Sequence, residues 1–246
     1  NRTTYGAIIL PEQGAMPEVL TAPAANTMVA QLLSGVAQQL NAQMVQKVAA
    51  MGLETSAIHV AVTPIVSLSE NDPTGAGMTS AAFPLMIGGI IGGAISSIFI
   101  SGRRNKLSFL GLYPIVASTI IVGVLQSWFG FLQQDFFLNS AAVALSIAAT
   151  AAFIAGLSNL LGRAGIAIGA AFTFLIANPL SSAAMPWQFI AEPWGAFGQF
   201  LVPGASNWMI KSLSYFPATE LSQQWWTLAI WALAGLALLA VPKLKK

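Results

Sequence analysis

The sequence is poor in charged side chains. Asp, Glu, Lys and Arg make up 7% of the 246 residues, whereas a typical soluble domain carries about 25%. Apolar residues make up 56% of the chain, and the mean hydropathy is +0.72. A soluble fold of this size needs far more surface charge, so the composition predicts an α-helical protein that crosses a membrane several times. The net charge of +2 gives no indication of a nucleic-acid partner.

Missing residue types also exclude several kinds of chemistry. The chain has no cysteine and one histidine, which excludes disulfides, thiolate metal sites and a cysteine nucleophile. His59 has no second histidine with which to bind a metal or relay a proton. The ATP-binding pattern GxxxxGK[ST] is absent as well. We therefore expect no catalytic residue, no cofactor, no metal site and no enzymatic activity.

Residues 1–79 have the pattern of a small α/β domain followed by a linker. Residues 5–11 and 57–66 are short apolar runs that predict strands. Residues 26–51 predict an amphipathic helix that covers a small core. The apolar residues expected to face this core recur at three- and four-residue steps: Val29, Leu32, Leu33, Val36, Leu40, Met44 and Val48.

Residues 80–246 predict a transmembrane domain. A helix needs about 20 apolar residues to cross the hydrocarbon core, and long charge-free stretches recur here. We predict five spans, near residues 82–101, 107–128, 139–161, 165–184 and 224–241. None carries Asp, Glu, Lys, Arg or His at mid-depth, whereas proton- and sodium-driven transporters usually place such groups on the pathway.

The basic residues predict the orientation of these spans. Seven of the ten Lys and Arg residues follow the first, third and fifth spans: Arg103, Arg104, Lys106, Arg163, Lys243, Lys245 and Lys246. By the positive-inside rule this side is cytoplasmic. We therefore expect a multi-pass plasma-membrane protein with an extracytoplasmic N-terminal domain and a cytoplasmic C-terminus. Because the sequence does not open with a signal peptide, we also expect a sixth span upstream of Asn1.

The segment 185–223 fits neither an exposed loop nor a span. It combines apolar character with proline and tryptophan, at Pro186, Trp187, Pro193, Trp194, Pro203 and Trp208. Tryptophan suits the headgroup region, and backbone broken by proline must pack on protein, lie in the interface or line a wet cavity. The segment therefore predicts re-entrant or interfacial helices before the last span. We expect the pair Asn178–Pro179 just before it to break the fourth span.

This layout resembles a known family. A YGAIILPE-type strand, a helix rich in Gln and Ala and a turn leading into five spans resemble the membrane subunits of type-2 (ABC-2) exporters. The resemblance is closest to the YhgE/Pip (phage infection protein) branch, whose actinobacterial members are described as ABC-2-like permeases. Residues 7–12, AIILPE, resemble the IPxxF strand end of the family, although no Phe follows here. The segments NPLSSAAMPWQF and VPGASNW resemble the two sides of the bend in its re-entrant region.

Two motifs are candidate contact sites. Gly88, Gly89, Gly92 and Gly93 form GGIIGG, in which glycines at four-residue steps allow two helix backbones to approach closely. This predicts either a contact that slides during transport or tight packing inside one bundle. The GRRNK motif with Arg103, Arg104 and Lys106 predicts either a contact with an ATP-binding subunit, which the resemblance implies, or a topology anchor on anionic lipid.

Two functions therefore remain open. The resemblance implies a permease-like subunit that exports an apolar or amphipathic substrate, such as a lipid or envelope precursor. It also implies a homodimer and a separate ATP-binding subunit. The other function is a non-transporting envelope protein that serves as a scaffold or accessory subunit in a larger membrane complex.

Overall fold

A computed structural model describes residues 4–10, 16–52, 54–55 and 58–242 of the chain. Contacts divide it into two compact units. The first, called the N-terminal unit, comprises Asn1–Leu68 and Pro73–Gly75. The second, called the helical unit, comprises Ser69–Asp72 and Ala76–Lys246. The predicted cationic tail with Lys243, Lys245 and Lys246 lies outside the described residues.

The N-terminal unit is a three-stranded sheet with one long helix. Its strands are β1 (Gly6–Ile9), β2 (Glu18–Thr21) and β3 (Ala61–Pro64), in the order β1-β2-β3. β1 pairs with β2 in antiparallel fashion, and β2 pairs with β3 in parallel. The parallel pair needs a crossover, and helix α1 (Thr27–Ala50) supplies it. The sequence analysis predicted the two outer strands and the helix but missed the central strand.

Helix α1 begins where its sequence favours a helix start. Asn26 is the N-cap, and its Oδ1 accepts a hydrogen bond of 3.1 Å from the Val29 N–H. The core beneath the helix contains Val19, Ala37 and Val60, with Leu33, Leu40 and Met44 packed around them.

One part of the predicted core face is wrong. Leu32 is 53% exposed and Val36 is 37% exposed, whereas Ala30 and Ala37 are buried. Three strands about 4.8 Å apart form a narrow surface. Such a surface covers only a narrow stripe of one helix, and alanine in that stripe lets the helix lie close to the sheet.

The helical unit contains four helices that are long and apolar enough to cross a membrane, among the residues that the structure describes. The first runs over Ala76–Ile98 and consists of α2 (Ala76–Ser80) and α3 (Ala82–Ile98). The second, α4 (Arg103–Val122), continues as a π-helical turn to Trp128. The third and fourth are α5 (Phe136–Leu161) and, at the end of the chain, α9 (Ser222–Ala240). They lie close to four of the five predicted spans.

The predicted span at 165–184 is a shorter helix in the structure. Helix α6 (Arg163–Ala171) continues as a π-helical turn that ends at Ala177. The break expected at Asn178–Pro179 is confirmed, since a 3₁₀ turn begins at Pro179 and Ser182 adopts a left-handed conformation with φ of 54°. Two short helices follow, α7 (Trp194–Gly198) and α8 (Val202–Tyr215).

Helix α5 is the centre of the helical unit. It contacts α3, α4, α6, α8 and α9. In its most apolar stretch 61% of the helix is buried, against 22–39% of the corresponding stretches in the other three long helices. Its sequence is apolar on all sides, which is typical of a helix surrounded by others. The small side chains Ala142, Ala149, Ala151, Ala152 and Ala155 are buried along it.

Candidate functional site

The paired glycines of α3 lie against other helices of the same chain. A Cβ added to Gly89 would lie 2.5 Å from Thr150 Cβ on α5, and one added to Gly93 would lie 2.7 Å from Ile154 Cβ. Neither position therefore accepts a larger residue without movement of α5. The Gly89/Gly93 pair brings the α3 and α5 backbones together.

The other pair, Gly88 and Gly92, faces helix α4. The Tyr113 ring lies directly over Gly92, and its hydroxyl donates a hydrogen bond of 2.8 Å to the Gly88 carbonyl oxygen. A Cβ on Gly88 would make ordinary contacts of 3.6 Å with Ile121 and Ile147. Packing inside one bundle thus explains glycine at Gly89, Gly92 and Gly93, whereas Gly88 has room for a Cβ.

A second close approach, which the sequence analysis missed, joins α5 and α9. A Cβ on Gly156 would lie 2.5 Å from the Gly235 carbonyl oxygen. Nearby, Asn159 Nδ2 donates to the carbonyl oxygens of Leu238 and Val241 at 3.2 and 2.9 Å. These bonds satisfy carbonyl groups that the end of α9 leaves unpaired.

The segment 185–223 contains a short helix that lies inside the helical unit. Ten of the fourteen residues of α8 are buried, and the helix packs against α5 and α9. Pro203 is the second residue of α8; it is buried, and in the first turn of a helix the N–H that proline lacks would have no partner within the helix. The segment before α8 is tied to α9 by Trp231, whose Nε1 donates a hydrogen bond of 2.8 Å to the Phe200 carbonyl oxygen.

The other prolines and tryptophans named for the segment 185–223 differ in how far they are buried. Pro186 is buried, Trp187 and Trp208 are half-buried, and Pro193 and Trp194 are exposed. Trp208 packs against the main core of the helical unit, so its ring supports α8 from within. Trp194, 55% exposed, is the tryptophan of this group best placed to meet a headgroup layer.

Buried hydroxyl groups line the contact between α5 and α8. The Ser206 Oγ lies 2.7 Å from the Val202 carbonyl oxygen and 2.6 Å from Ser146 Oγ. Because a hydroxyl has one proton, Ser206 donates to Val202 and accepts from Ser146. Further along α8, the buried hydroxyls of Ser212 and Ser214 have no hydrogen-bond partner in the described part of the chain.

An apolar cleft lies beside α8. Its enclosed volume is about 20 Å³, which is room for about one water molecule. The lining residues come from the first two long helices, the loop after the second, the segment after the 3₁₀ turn at Pro179 and α8: Met78, Thr79, Ala81, Ala82, Leu85, Leu125, Leu132, Ala183, Asn207, Ile210 and Lys211. Asn207 Nδ2 is buried there without a described partner. Lys211 is the only cationic residue between Arg163 and Lys243. The cleft thus combines apolar walls with one amide and one cation.

Asp72 and Tyr215, which the sequence analysis did not single out, hold loops of the helical unit in place. The buried Asp72 carboxylate accepts hydrogen bonds from the backbone N–H groups of Gly77 and Met78, at 3.0 and 2.7 Å. It therefore caps the first long helix, where an anion is favourable. An Asp a few residues before an apolar helix is the sequence signal that could have revealed it.

Tyr215 joins two loops through its hydroxyl. The hydroxyl donates to the Phe131 carbonyl oxygen at 3.0 Å and accepts from the Ser69 N–H at 3.4 Å. Burial raises the pKa of Tyr215 above its ordinary value of 10.0; the Ser69 hydrogen bond opposes this rise, and the negative charge of Asp72 adds to it. The phenol therefore stays protonated and keeps its donor role at neutral pH.

The N-terminal unit has a groove of about 470 Å³ along one face of α1. Its lining is uncharged: Thr21, Pro23, Thr27, Ala30, Gln31, Ser34, Gly35, Gln38, Pro73 and Thr74. Gln31 and Gln38 are exposed in it. A Cβ on Gly35 would meet nothing within 4 Å, so packing against the described residues does not require glycine there.

The basic motif opens helix α4 directly. Residues 99–102 separate α3 from Arg103, the first residue of α4, so this loop contains no helix of its own. Arg103 and Arg104 are exposed and Lys106 is half-buried. A cleft of about 300 Å³ opens between Gly102, Arg103 and Lys106 on one side and residues 239–242 on the other.

The described residues contain no group of three or more His, Cys, Asp or Glu that could hold a metal ion. His59 is exposed and lies just before β3. Comparison of the chain with models of protein families, with curated proteins and with solved structures found no match.

Proposed function

We propose that the chain is a membrane-spanning, permease-like subunit of an ABC-2-type export system that moves an apolar or amphipathic substrate. The observation that carries this proposal is the cleft beside α8. It lies next to a short buried helix, and it combines apolar walls with Lys211 and Asn207. The cleft has room for about one water molecule as it stands, so we propose that α8 moves away from the first two long helices to admit a substrate with an apolar body and an anionic or hydrogen-bonding head.

Four long apolar helices support a multi-pass membrane protein, and the positive-inside rule favours a cytoplasmic location for Arg103, Arg104, Lys106 and Arg163. The N-terminal unit is then extracytoplasmic. The sequence has no GxxxxGK[ST] motif, so the energy of ATP comes from a separate subunit. Two copies of the chain form the substrate path between their bundles.

Copurification from the native membrane tests this function. The protein is extracted in mild detergent, and the proteins that accompany it are identified by mass spectrometry. We expect an ATP-binding subunit in constant ratio to the chain. Repeated preparations that contain another envelope protein and no ATPase would contradict export and favour the second function.

The second function is that of an accessory protein whose N-terminal unit binds a partner outside the membrane. The uncharged groove along α1 favours it. Gly35 lowers helix stability by about 0.5–1 kcal/mol relative to alanine, and nothing in the described part of the chain packs closely enough to require it. Close approach of a partner at Gly35 explains the residue. Exposed glutamines beside it offer both donors and acceptors to an uncharged ligand.

A bulky residue at position 35 tests this second function. The Cβ of Gly35→Leu meets no described atom within 4 Å, and leucine favours a helix more than glycine does, so we expect the variant to fold. Ala42→Leu is the matched control, since Ala42 is exposed on the same helix and does not line the groove. We expect Gly35→Leu, but not Ala42→Leu, to remove a copurifying extracytoplasmic partner. Equal recovery of that partner with both variants would exclude the groove as its binding site.

A further inference from the structure

The cleft beside α8 contains a buried hydrogen-bond donor that faces apolar walls. Asn207 lines the cleft, and its Nδ2 is buried without a hydrogen-bond partner among the described residues. The walls opposite it come from the first two long helices and include Met78, Leu85 and Leu125. An unpaired amide N–H in such a place is costly in free energy. The donor therefore indicates a ligand that accepts a hydrogen bond.

The cleft satisfies the conditions for an ordered water molecule. A buried water needs about two to four polar partners and a space of at least roughly 10–15 Å³. The enclosed volume here is about 20 Å³, and Thr79 and Lys211 line the cleft together with Asn207. A hydroxyl and an ammonium group each form several hydrogen bonds, so both can bond to a water molecule as well as to another group.

A second buried polar group lies on the same face of α8. Seven residues make about two turns of an α-helix, so the side chains of Asn207 and Ser214 leave α8 in nearly the same direction. Ser214 is 1% exposed, and its hydroxyl has no hydrogen-bond partner in the part of the chain that the structure describes. Lys211 lies between the two on this face. The side of α8 that borders the cleft is thus polar over two turns.

Ser212 provides a contrast on the other side of α8. It is buried as deeply as Ser214, and its hydroxyl also lacks a described partner. Five residues advance an α-helix by about 500°, so the Ser212 side chain points roughly 140° away from that of Asn207. Ser212 therefore has the same chemistry and the same burial as Ser214, but it points away from the cleft.

We propose that α8 has one hydrated face: an ordered water molecule occupies the cleft at Asn207, and water reaches Ser214 along the same side of the helix. The water in the cleft accepts a hydrogen bond from Asn207 Nδ2 and lies beside Thr79 and Lys211. This face gives water-soluble molecules a route into the helical unit on one side of α8. Water needs no substrate to bind there, so the hydrated face does not depend on the proposed export.

Single cysteines test which side of α8 meets water. The chain has no cysteine, so Asn207→Cys, Ser214→Cys and Ser212→Cys each carry one thiol. The purified proteins in lipid nanodiscs, which leave both ends of the helices accessible, are treated with a charged, water-soluble methanethiosulfonate. Intact-mass spectrometry follows the mixed disulfide over time. Because only the thiolate reacts and apolar surroundings keep a thiol protonated, the rate measures water at each position.

The expected result is a difference between two sides of one helix. Asn207→Cys and Ser214→Cys should react at least about tenfold faster than Ser212→Cys, which is the effect of one pKa unit on the thiolate fraction. A cationic and an anionic reagent should give the same order of rates, because the route depends on water and not on attraction to Lys211.

Two controls complete the set. Ser118 on α4 is also 1% exposed, and its hydroxyl donates a hydrogen bond of 2.9 Å to the Ile115 carbonyl oxygen of its own helix. Ser118→Cys should therefore react as slowly as Ser212→Cys. In denaturant all four variants should react at the same rate, which shows that every thiol is intact. Ser214→Cys replaces one oxygen by sulfur, so it carries the test if Asn207→Cys does not fold.

Three results overturn the proposal. A rate for Ser214→Cys no higher than that for Ser118→Cys would mean that water does not reach this face. Equal rates for Ser214→Cys and Ser212→Cys would indicate that the whole of α8 opens instead of having one hydrated face. Fast reaction with the anionic reagent alone would indicate attraction to Lys211. None of these results depends on whether the chain exports a substrate.

Discussion

Gly156 and Gly235 place the backbones of α5 and α9 in direct contact, since a Cβ on Gly156 would lie 2.5 Å from the Gly235 carbonyl oxygen. This is the tightest kind of helix crossing, and only glycine permits it at both positions. The same geometry explains why α5 can hold α3 on one side and α9 on the other. Small residues on its faces, not large complementary side chains, determine how closely its neighbours approach.

This crossing predicts a strong effect of one added methyl group. Gly156→Ala forces α5 and α9 apart, and we expect a loss of about 1–3 kcal/mol in stability, as for other overpacked cores. Thermal unfolding in detergent measures the change. Gly111→Ala on α4 is the control, because its Cβ would meet nothing within 4 Å. Equal melting temperatures for the two variants would contradict a tight crossing.

The helix cap formed by Asp72 predicts that removal of its carboxylate lowers the stability of the protein. Asp72→Ala leaves the N–H groups of Gly77 and Met78 without their acceptor. We expect a loss of about 2 kcal/mol, the range of hydrogen bonds to charged groups, and a smaller loss for Asp72→Asn, which keeps one acceptor oxygen. The melting temperature in detergent measures the loss of stability in each variant. Glu70→Ala, an exposed acid nearby, should leave it unchanged; a similar fall would point to net charge as the cause.

The hydroxyl of Tyr215 predicts a dependence of stability on alkaline pH. Its pKa in the folded chain is raised above 10.0, so the unfolded chain loses this proton first as pH rises. The stabilisation is therefore complete below pH 10.0 and is lost as pH climbs through the raised pKa. Tyr215→Phe should be less stable at pH 8 by about 1–2 kcal/mol for two lost hydrogen bonds. It should also lose less stability than the parent above pH 10.

Unfolding curves of both proteins at pH 8 and above pH 10 provide the measurement. The difference between the two proteins removes the contributions of Tyr5, Tyr113 and the lysines. A constant difference across this range would mean that Tyr215 ionises equally in both states.

Lys211 predicts which amphiphiles the cleft beside α8 prefers. Replacement by glutamine removes the only cation of its lining and keeps a side chain of similar length. We expect about fivefold weaker binding of a fluorescent fatty-acid anion, on the scale of one cation near a lipid surface. Binding of the matching neutral amide should not change. Fluorescence titration in detergent distinguishes these results, and Lys47→Gln on α1 is the charge-matched control. Equal loss for anion and amide would show a structural role for Lys211.

The long apolar helices were predictable because they depend on local composition. Charge-free runs of about 20 residues predicted the helices that end at Ile98, Trp128, Leu161 and Ala240. The break at Asn178–Pro179 followed from proline chemistry alone. Strand β2 was missed because its four residues, EVLT, lie between prolines and are too few to show a period.

The site was less predictable because it depends on which helices become neighbours. GGIIGG indicated close packing, yet its partners Thr150 and Tyr113 lie far along the chain on two different helices. Gly156 and Gly235 stand alone in their sequence neighbourhoods and gave no such pattern. The exposed Leu32 shows the same limit, since helical periodicity cannot reveal how wide a surface covers the helix.

The short α6 carries a consequence for the membrane around the protein. Its nine α-helical and six π-helical residues extend over roughly 20 Å, whereas the hydrocarbon core is about 30 Å thick. Ile168, Phe174, Leu175 and Ile176 are nevertheless exposed along it. In a bilayer this hydrophobic mismatch compresses the adjacent lipids or draws headgroups inward toward Ser182. The side of the protein that bears α6 would therefore be sensitive to acyl-chain length, and membranes with short chains would accommodate it with less deformation.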